Sequence, residues 1–219
     1  MPPKLTQESL YTDISTEYKT VQFGFSKDKY KSWNKIHSRA ERLYDNHVDI
    51  LIEVANNEKK EYTDTDLGFK TRPMRTKQET GERQTADYVV YWKFKHEPEY
   101  HKLGLIFERK AIEDFHQTMI HGYRRFDKEV FRFLEDPTTK YMFMLVESTR
   151  AQALSFLPPK RYTEKQVRNL IAAKIGAIAS IESKGVHICW QGTRKSSYNS
   201  VKSYVKHFFC KNIVWVLDL

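Results

Sequence analysis

Short, almost continuously apolar runs recur along this chain with helix-period segments between them: VDILIEV (48–54), DYVVYWKF (87–94), LGLIFE (103–108), KYMFMLV (140–146) and GVHICW (185–190). Runs of this length, rich in Val, Ile, Phe and Tyr, suit strands buried on both faces. Strands alternating with helices confine the chain to an α/β architecture, a central mixed sheet flanked by helices. The second and third runs are joined by the polar KHEPEYHK, which predicts antiparallel neighbours.

The intervening segments carry apolar residues at steps of three and four. YKSWNKIHSRAERLY (30–44) places Trp33, Ile36, Ala40 and Leu43 on one face of an amphipathic helix. Phe115, Met119 and Ile120, then Phe126, Val130, Phe131 and Leu134, predict two helices separated at Gly122. Thr163, with Gln166 three residues on, caps a helix running to about Ser183 that is rich in Ala and Gly. A turn at 191–197 precedes a last helix with Val201, Tyr204, Val205, Phe208 and Phe209 on one face. The first 30 residues are polar with weak periodicity, so the expected organisation is an extension over 1–45 containing one helix, followed by one domain over 46–219.

Lys and Arg exceed Asp and Glu by nine, 37 against 28, and this positive field favours polyanionic partners, nucleic acid first. Much of the basic charge lies in the polar stretch from Lys59 to Arg83, where Lys70, Arg72 and Arg75 suit a phosphate-binding groove; a solvated insertion is the plainer alternative. Arg194 and Lys195 add to a basic C-terminal region. The two cysteines, Cys189 and Cys210, indicate neither a disulfide framework nor a zinc module. The absence of an 18-residue apolar span and of a secretory signal points to a soluble intracellular protein with no membrane partner.

The chemistry concentrates at Phe107-Glu108-Arg109-Lys110, where a strand ends and a helix begins. Residues two apart share a face of a strand, so Glu108 and Lys110 project together and Arg109 points the other way. Asp87 opens the neighbouring strand, and two carboxylates beside one ammonium make a site for a hard divalent cation such as Mg²⁺ or Mn²⁺. Lys110 there orients or deprotonates a water. A surface ion pair between Glu108 and Lys110 is the bland alternative.

At these residues the chain resembles the nuclease domain of the XPF family of structure-specific endonucleases, within the PD-(D/E)XK superfamily. The resemblance rests on Asp87-Tyr88, on Glu108-Arg109-Lys110-Ala-Ile-Glu-Asp114, and on HQTMIHGYRRFDKEVFRF with Gly122 and Arg124 or Arg125 at its turn. It continues through LVES, near Glu147, and GVHICW, covering roughly Asp49 to Cys210.

The resemblance implies a restriction-endonuclease-like sheet and Mg²⁺-dependent hydrolysis of DNA near branches, flaps or forks, in repair or recombination. It implies Asp87 and Glu108 as metal ligands, Lys110 as the group that positions water, and Arg109 at the phosphate or holding the active-site loop. Asp114 either orients Lys110 or Arg109 or simply favours a helix N-terminus, and Glu147 is either a supporting residue or a solvent-facing strand end. Ala86 stands where the family has glycine, and Glu53 is the nearest candidate for its first-strand acid. No helix-hairpin-helix module is visible after the domain, so branch recognition falls to the nuclease domain, the extension or another subunit. Pairing as a homodimer or heterodimer is expected, with the 163–183 helix as contact or as plain core. The location expected is the nucleus in a eukaryote or the cytoplasm in a prokaryote or archaeon. A non-catalytic DNA-binding or scaffold subunit, and a restriction- or homing-type nuclease, are the alternatives.

Overall fold

The computed structural model describes residues 29–56, 61–75 and 86–216, so the expectations for the first 28 residues and for Lys59, Lys60, Lys77 and Arg83 lie outside the described residues. The chain divides into two compact units, residues 1–48 with 204–219, and residues 49–203.

In the first unit, helix α1 (Lys29–His47) turns Ile36, Ala40 and Tyr44 inward. Tyr44 packs on Phe209 at 5.5 Å between ring centroids, and Lys206 reaches Asp45 at 2.9 Å.

The second unit is built on a six-stranded sheet ordered β2-β1-β3-β4-β5-β6. Its strands are β1 (Val48–Val54), β2 (Lys70–Pro73), β3 (Tyr88–Phe94), β4 (His101–Lys110), β5 (Tyr141–Val146) and β6 (Val186–Trp190). The pairs β1/β2, β4/β5 and β5/β6 are parallel, while β3/β4 is antiparallel as its polar connection predicts. Interleaved are helices α2 (Asp64–Leu67), α3 (Ile112–Ile120), α4 (Tyr123–Glu135), α5 (Arg150–Ser155), α6 (Glu164–Glu182) and the start of α7 (Arg194–Val216), whose residues from Tyr204 on belong to the first unit. The mixed α/β reading therefore holds. Among the described residues, no helix is long and apolar enough to cross a membrane.

The principal core lies on the sheet face that carries Ile106, Met142, Met144, Val146 and Val186. Onto it pack Phe115 and Met119 of α3, Phe126, Val130 and Phe133 of α4, and Ile178 and Ile181 of α6. Each of these side chains contributes on the order of 2 kcal/mol by leaving water. Within β4, Gly104 adopts φ of 80°, and a Cβ there would stand 3.2 Å from the Thr138 carbonyl oxygen. Glycine permits this kink beside the register shift in β3 between Val89 and Tyr91.

The stretch 59–83, expected to be a long basic loop with room for a short helix, contains the short helix α2 and also the strand β2. The β2 segment Lys-Thr-Arg-Pro has no apolar alternation because it is a mostly exposed edge strand, where charge and proline are tolerated. Helix α5 was also unanticipated, although Thr149 and Gln152 form a complete capping box at its start. Helix α7 begins at Arg194, inside the expected turn. On α6, Ala172, Ala173, Ile175, Gly176 and Ala179 are exposed, whereas Lys174, Ile178 and Ile181 are buried.

Candidate active site

The antiparallel register sets Tyr88 opposite Phe107, and one step outward Asp87 comes opposite Glu108. Asp87 Oδ2 accepts the backbone N–H of Arg109 at 2.8 Å, which ties the carboxylate to the end of β4. Glu108 is only 5 % exposed, and its Oε1 receives the Lys110 ammonium at 2.5 Å. Glu108 and Lys110 thus share a face, as strand alternation requires.

Burial pulls the Lys110 pKa down, but the charges of Glu108 and Asp87, the Glu108 hydrogen bond and Glu129 together outweigh it and raise the value. With Glu108 and Asp87 both ionised, these charges favour the ammonium form of Lys110, which can hold an anionic oxygen or orient a water.

Glu129, on α4, is a member of this cluster that sequence reasoning missed. Burial first, and then the charge of Glu108, push its carboxyl up, while Lys110, Arg125 and Arg132 pull it down. A signal for it existed: Glu129 lies three residues after Phe126 and next to Val130, so it borders the buried stripe of α4.

Arg109 points to the other face. It is 6 % exposed, and its Nε and Nη2 grip the two oxygens of Glu147 at 2.8 and 2.7 Å. Glu147 also accepts the Tyr62 hydroxyl at 3.1 Å and lies 3.9 Å from Arg194. Tyr62 is fully buried and stacks on Tyr88 at 5.1 Å, and Arg194 covers it at 4.9 Å from the ring centroid. Nothing in the polar sequence around Tyr62 announced this role, since its partners lie far along the chain.

Glu53, 7 % exposed on β1, is paired with Arg72 on β2 through Nε and Nη2 at 3.0 and 2.7 Å. Burial and then Glu53 raise the pKa of the nearby Tyr91 hydroxyl. Asp114 is exposed on the first turn of α3. Lys70, Arg75, Arg124, Arg125 and Lys195 are exposed, with Arg125 4.0 Å from Glu129. Arg194 is held partly inward by the Glu61 carbonyl at 2.6 Å and by Asp66 at 4.0 Å.

As a metal site, Asp87 and Glu108 offer the hard oxygens that suit Mg²⁺ or Mn²⁺, which keep several waters and need only one or two carboxylates. The donor chemistry fits, although among the described residues no three His, Cys, Asp or Glu are grouped so as to hold a metal.

No family model matches this chain, and no curated protein does. Among solved structures, it is similar to XPF from Aeropyrum pernix, with a TM-score of 0.45 and 17% identity over 74% of this chain and 68% of that one. It is also similar to a structure titled XPF from Aeropyrum pernix in complex with DNA, at a TM-score of 0.45 and 17% identity, over 74% and 66% of the two chains. A likeness of that size says nothing about chemistry, which rests on the residues themselves.

Proposed function

We propose that this protein is a metal-dependent endodeoxyribonuclease that hydrolyses phosphodiester bonds in branched DNA during repair or recombination. The observation that carries the reading is the meeting of Asp87, Glu108 and Lys110 at one end of β3 and β4. In this reading Asp87 and Glu108 hold Mg²⁺ or Mn²⁺, which when bound lowers the pKa of a water and screens charge gathering on the phosphate. Lys110 holds and orients the attacking water or a phosphate oxygen. Exposed Lys70, Arg75, Arg124, Arg125 and Lys195 supply phosphate contacts around the site. Residues 46–219 form the catalytic part. Two such domains pair, as a homodimer or with a non-identical subunit, through the exposed apolar face of α6.

The test is cleavage of labelled flap, fork, four-way and linear DNA. Mg²⁺ or Mn²⁺ should be required, and Asp87→Asn or Glu108→Gln should abolish cutting while gel-shift affinity survives. Several kcal/mol of transition-state stabilisation corresponds to a loss of about a thousandfold. Full activity in either variant, or cutting in excess chelator, refutes the assignment.

A further inference from the structure

We infer that Arg109, Glu147 and Tyr62 form a positioning network behind the sheet that fixes the Asp87 carboxylate on its opposite face, with Arg194 closing the network from α7. The inference rests on the reading of Asp87 as a metal ligand, and it gives Arg109 a different task from contacting DNA.

Asp87 precedes β3 and is oriented by the Arg109 N–H at 2.8 Å. The backbone here is held by the parallel pairing of β4 with β5, where Arg109 stands beside Leu145 and Lys110 beside Val146. The Arg109 side chain adds a second hold through its fork on Glu147, the two side chains being only 5% and 10% exposed. A guanidinium bound by both arms of its fork to a buried carboxylate is strongly oriented. To reach a phosphate it would have to abandon Glu147 and break both arms of that fork.

Glu147 is fixed in turn. The Tyr62 hydroxyl donates to it at 3.1 Å, while the Tyr62 backbone N–H donates to the Tyr88 hydroxyl at 3.1 Å. Tyr88 directly follows Asp87, so Tyr62 grips both ends of the network. Arg194 lies over the Tyr62 ring and near Glu147, adding a second cation to the same carboxylate. Side chains that orient a metal ligand from behind commonly change metal affinity 10–100-fold when they are removed.

Two measurements separate this role from a phosphate contact and from plain structure. The first is hydrogen exchange at the Arg109 amide, by NMR on the metal-free protein. The second is Mn²⁺ affinity by titration calorimetry, alongside DNA affinity in chelator. Arg109→Lys keeps the charge and loses the fork; Tyr62→Phe keeps the ring and loses only the hydroxyl. Circular dichroism establishes that each variant is folded. The expected result is exchange of the backbone amide at position 109 at least about tenfold faster in both variants, relative to amides in the core of β5. Mn²⁺ affinity should fall about 10–100-fold in Arg109→Lys and less in Tyr62→Phe, with DNA affinity within about twofold of wild type.

Weakened DNA binding in Arg109→Lys with unchanged Mn²⁺ affinity overturns the proposal and makes Arg109 a phosphate contact. Unchanged exchange in Tyr62→Phe also overturns it, because that variant is the least disruptive probe of the network. A wild-type protein that binds no Mn²⁺ defeats the metal-site reading, while the exchange measurement still decides whether the network holds Asp87.

Discussion

Replacing Lys110 by Met should be among the most damaging single changes near the site, and its cost can be worked from the surroundings. The Glu108 and Lys110 side chains are 6% and 12% exposed, and the ammonium lies 2.5 Å from Glu108 Oε1. Methionine fills a similar volume but leaves a buried carboxylate with no cation, and Asp87 and Glu129 add like charge to the same place. Removing one partner of a buried pair costs about 3–5 kcal/mol. For a domain of this size that lowers the melting temperature by roughly 10 °C. In the wild type the sign is favourable across the physiological range. The folded Lys110 pKa is raised above its usual 10.5, so its contribution is fully present below that value and is lost only as pH rises beyond it. The decisive assay is a double-mutant cycle by urea denaturation. Lys110→Met with Glu108→Gln together should recover most of the loss, since no buried charge is then stranded. Millimolar Mg²⁺ or Mn²⁺ should also stabilise Lys110→Met more than wild type, because the ion replaces the missing ammonium. A single-variant loss below about 1 kcal/mol, or a double variant as unstable as the sum of the two, refutes the reasoning.

Two further outcomes follow from the packing of α6. Ile175 is 44% exposed and Ile178 is 2% exposed, so Ile175→Asp should give a folded monomer by light scattering, whereas Ile178→Asp should unfold the domain by circular dichroism. A wild-type chain that remains monomeric at micromolar concentration and on branched DNA excludes the homodimer. The Lys174 ammonium, fully buried, donates to the carbonyls of Ala153, Leu154 and Phe156 at 2.9, 3.0 and 2.7 Å, and burial lowers its pKa from 10.5 to about 8. Between those values the unfolded chain retains a proton that the folded chain releases, so stability relative to Lys174→Met should rise from pH 8 to 10.5. Urea midpoints of the two proteins across that range check the sign, and a falling difference contradicts it.

The alternation of strands and helices, the antiparallel β3/β4 pair and the shared face of Glu108 and Lys110 were legible in the order of residues alone. These follow from periods of two and about four residues, which are local and survive in any compact fold. Local signals for α5, its capping box, and for Glu129, its place beside a buried stripe, were present in the sequence but went unread. The rest was settled when the chain packed. Edge strand β2 carries no apolar pattern, because an edge facing water needs none. Glu53 is engaged by Arg72, across a parallel pairing between segments 19 residues apart. Tyr62 meets Glu147 across 85 positions and Arg109 meets Glu147 across 38. A hydrogen bond between such distant residues leaves no trace in local hydrophobic periodicity, since that pattern records only which side of an element faces the core. Which buried charges become partners is settled when the sheet assembles, where leaving any one of them unpaired costs more than a local preference can offset.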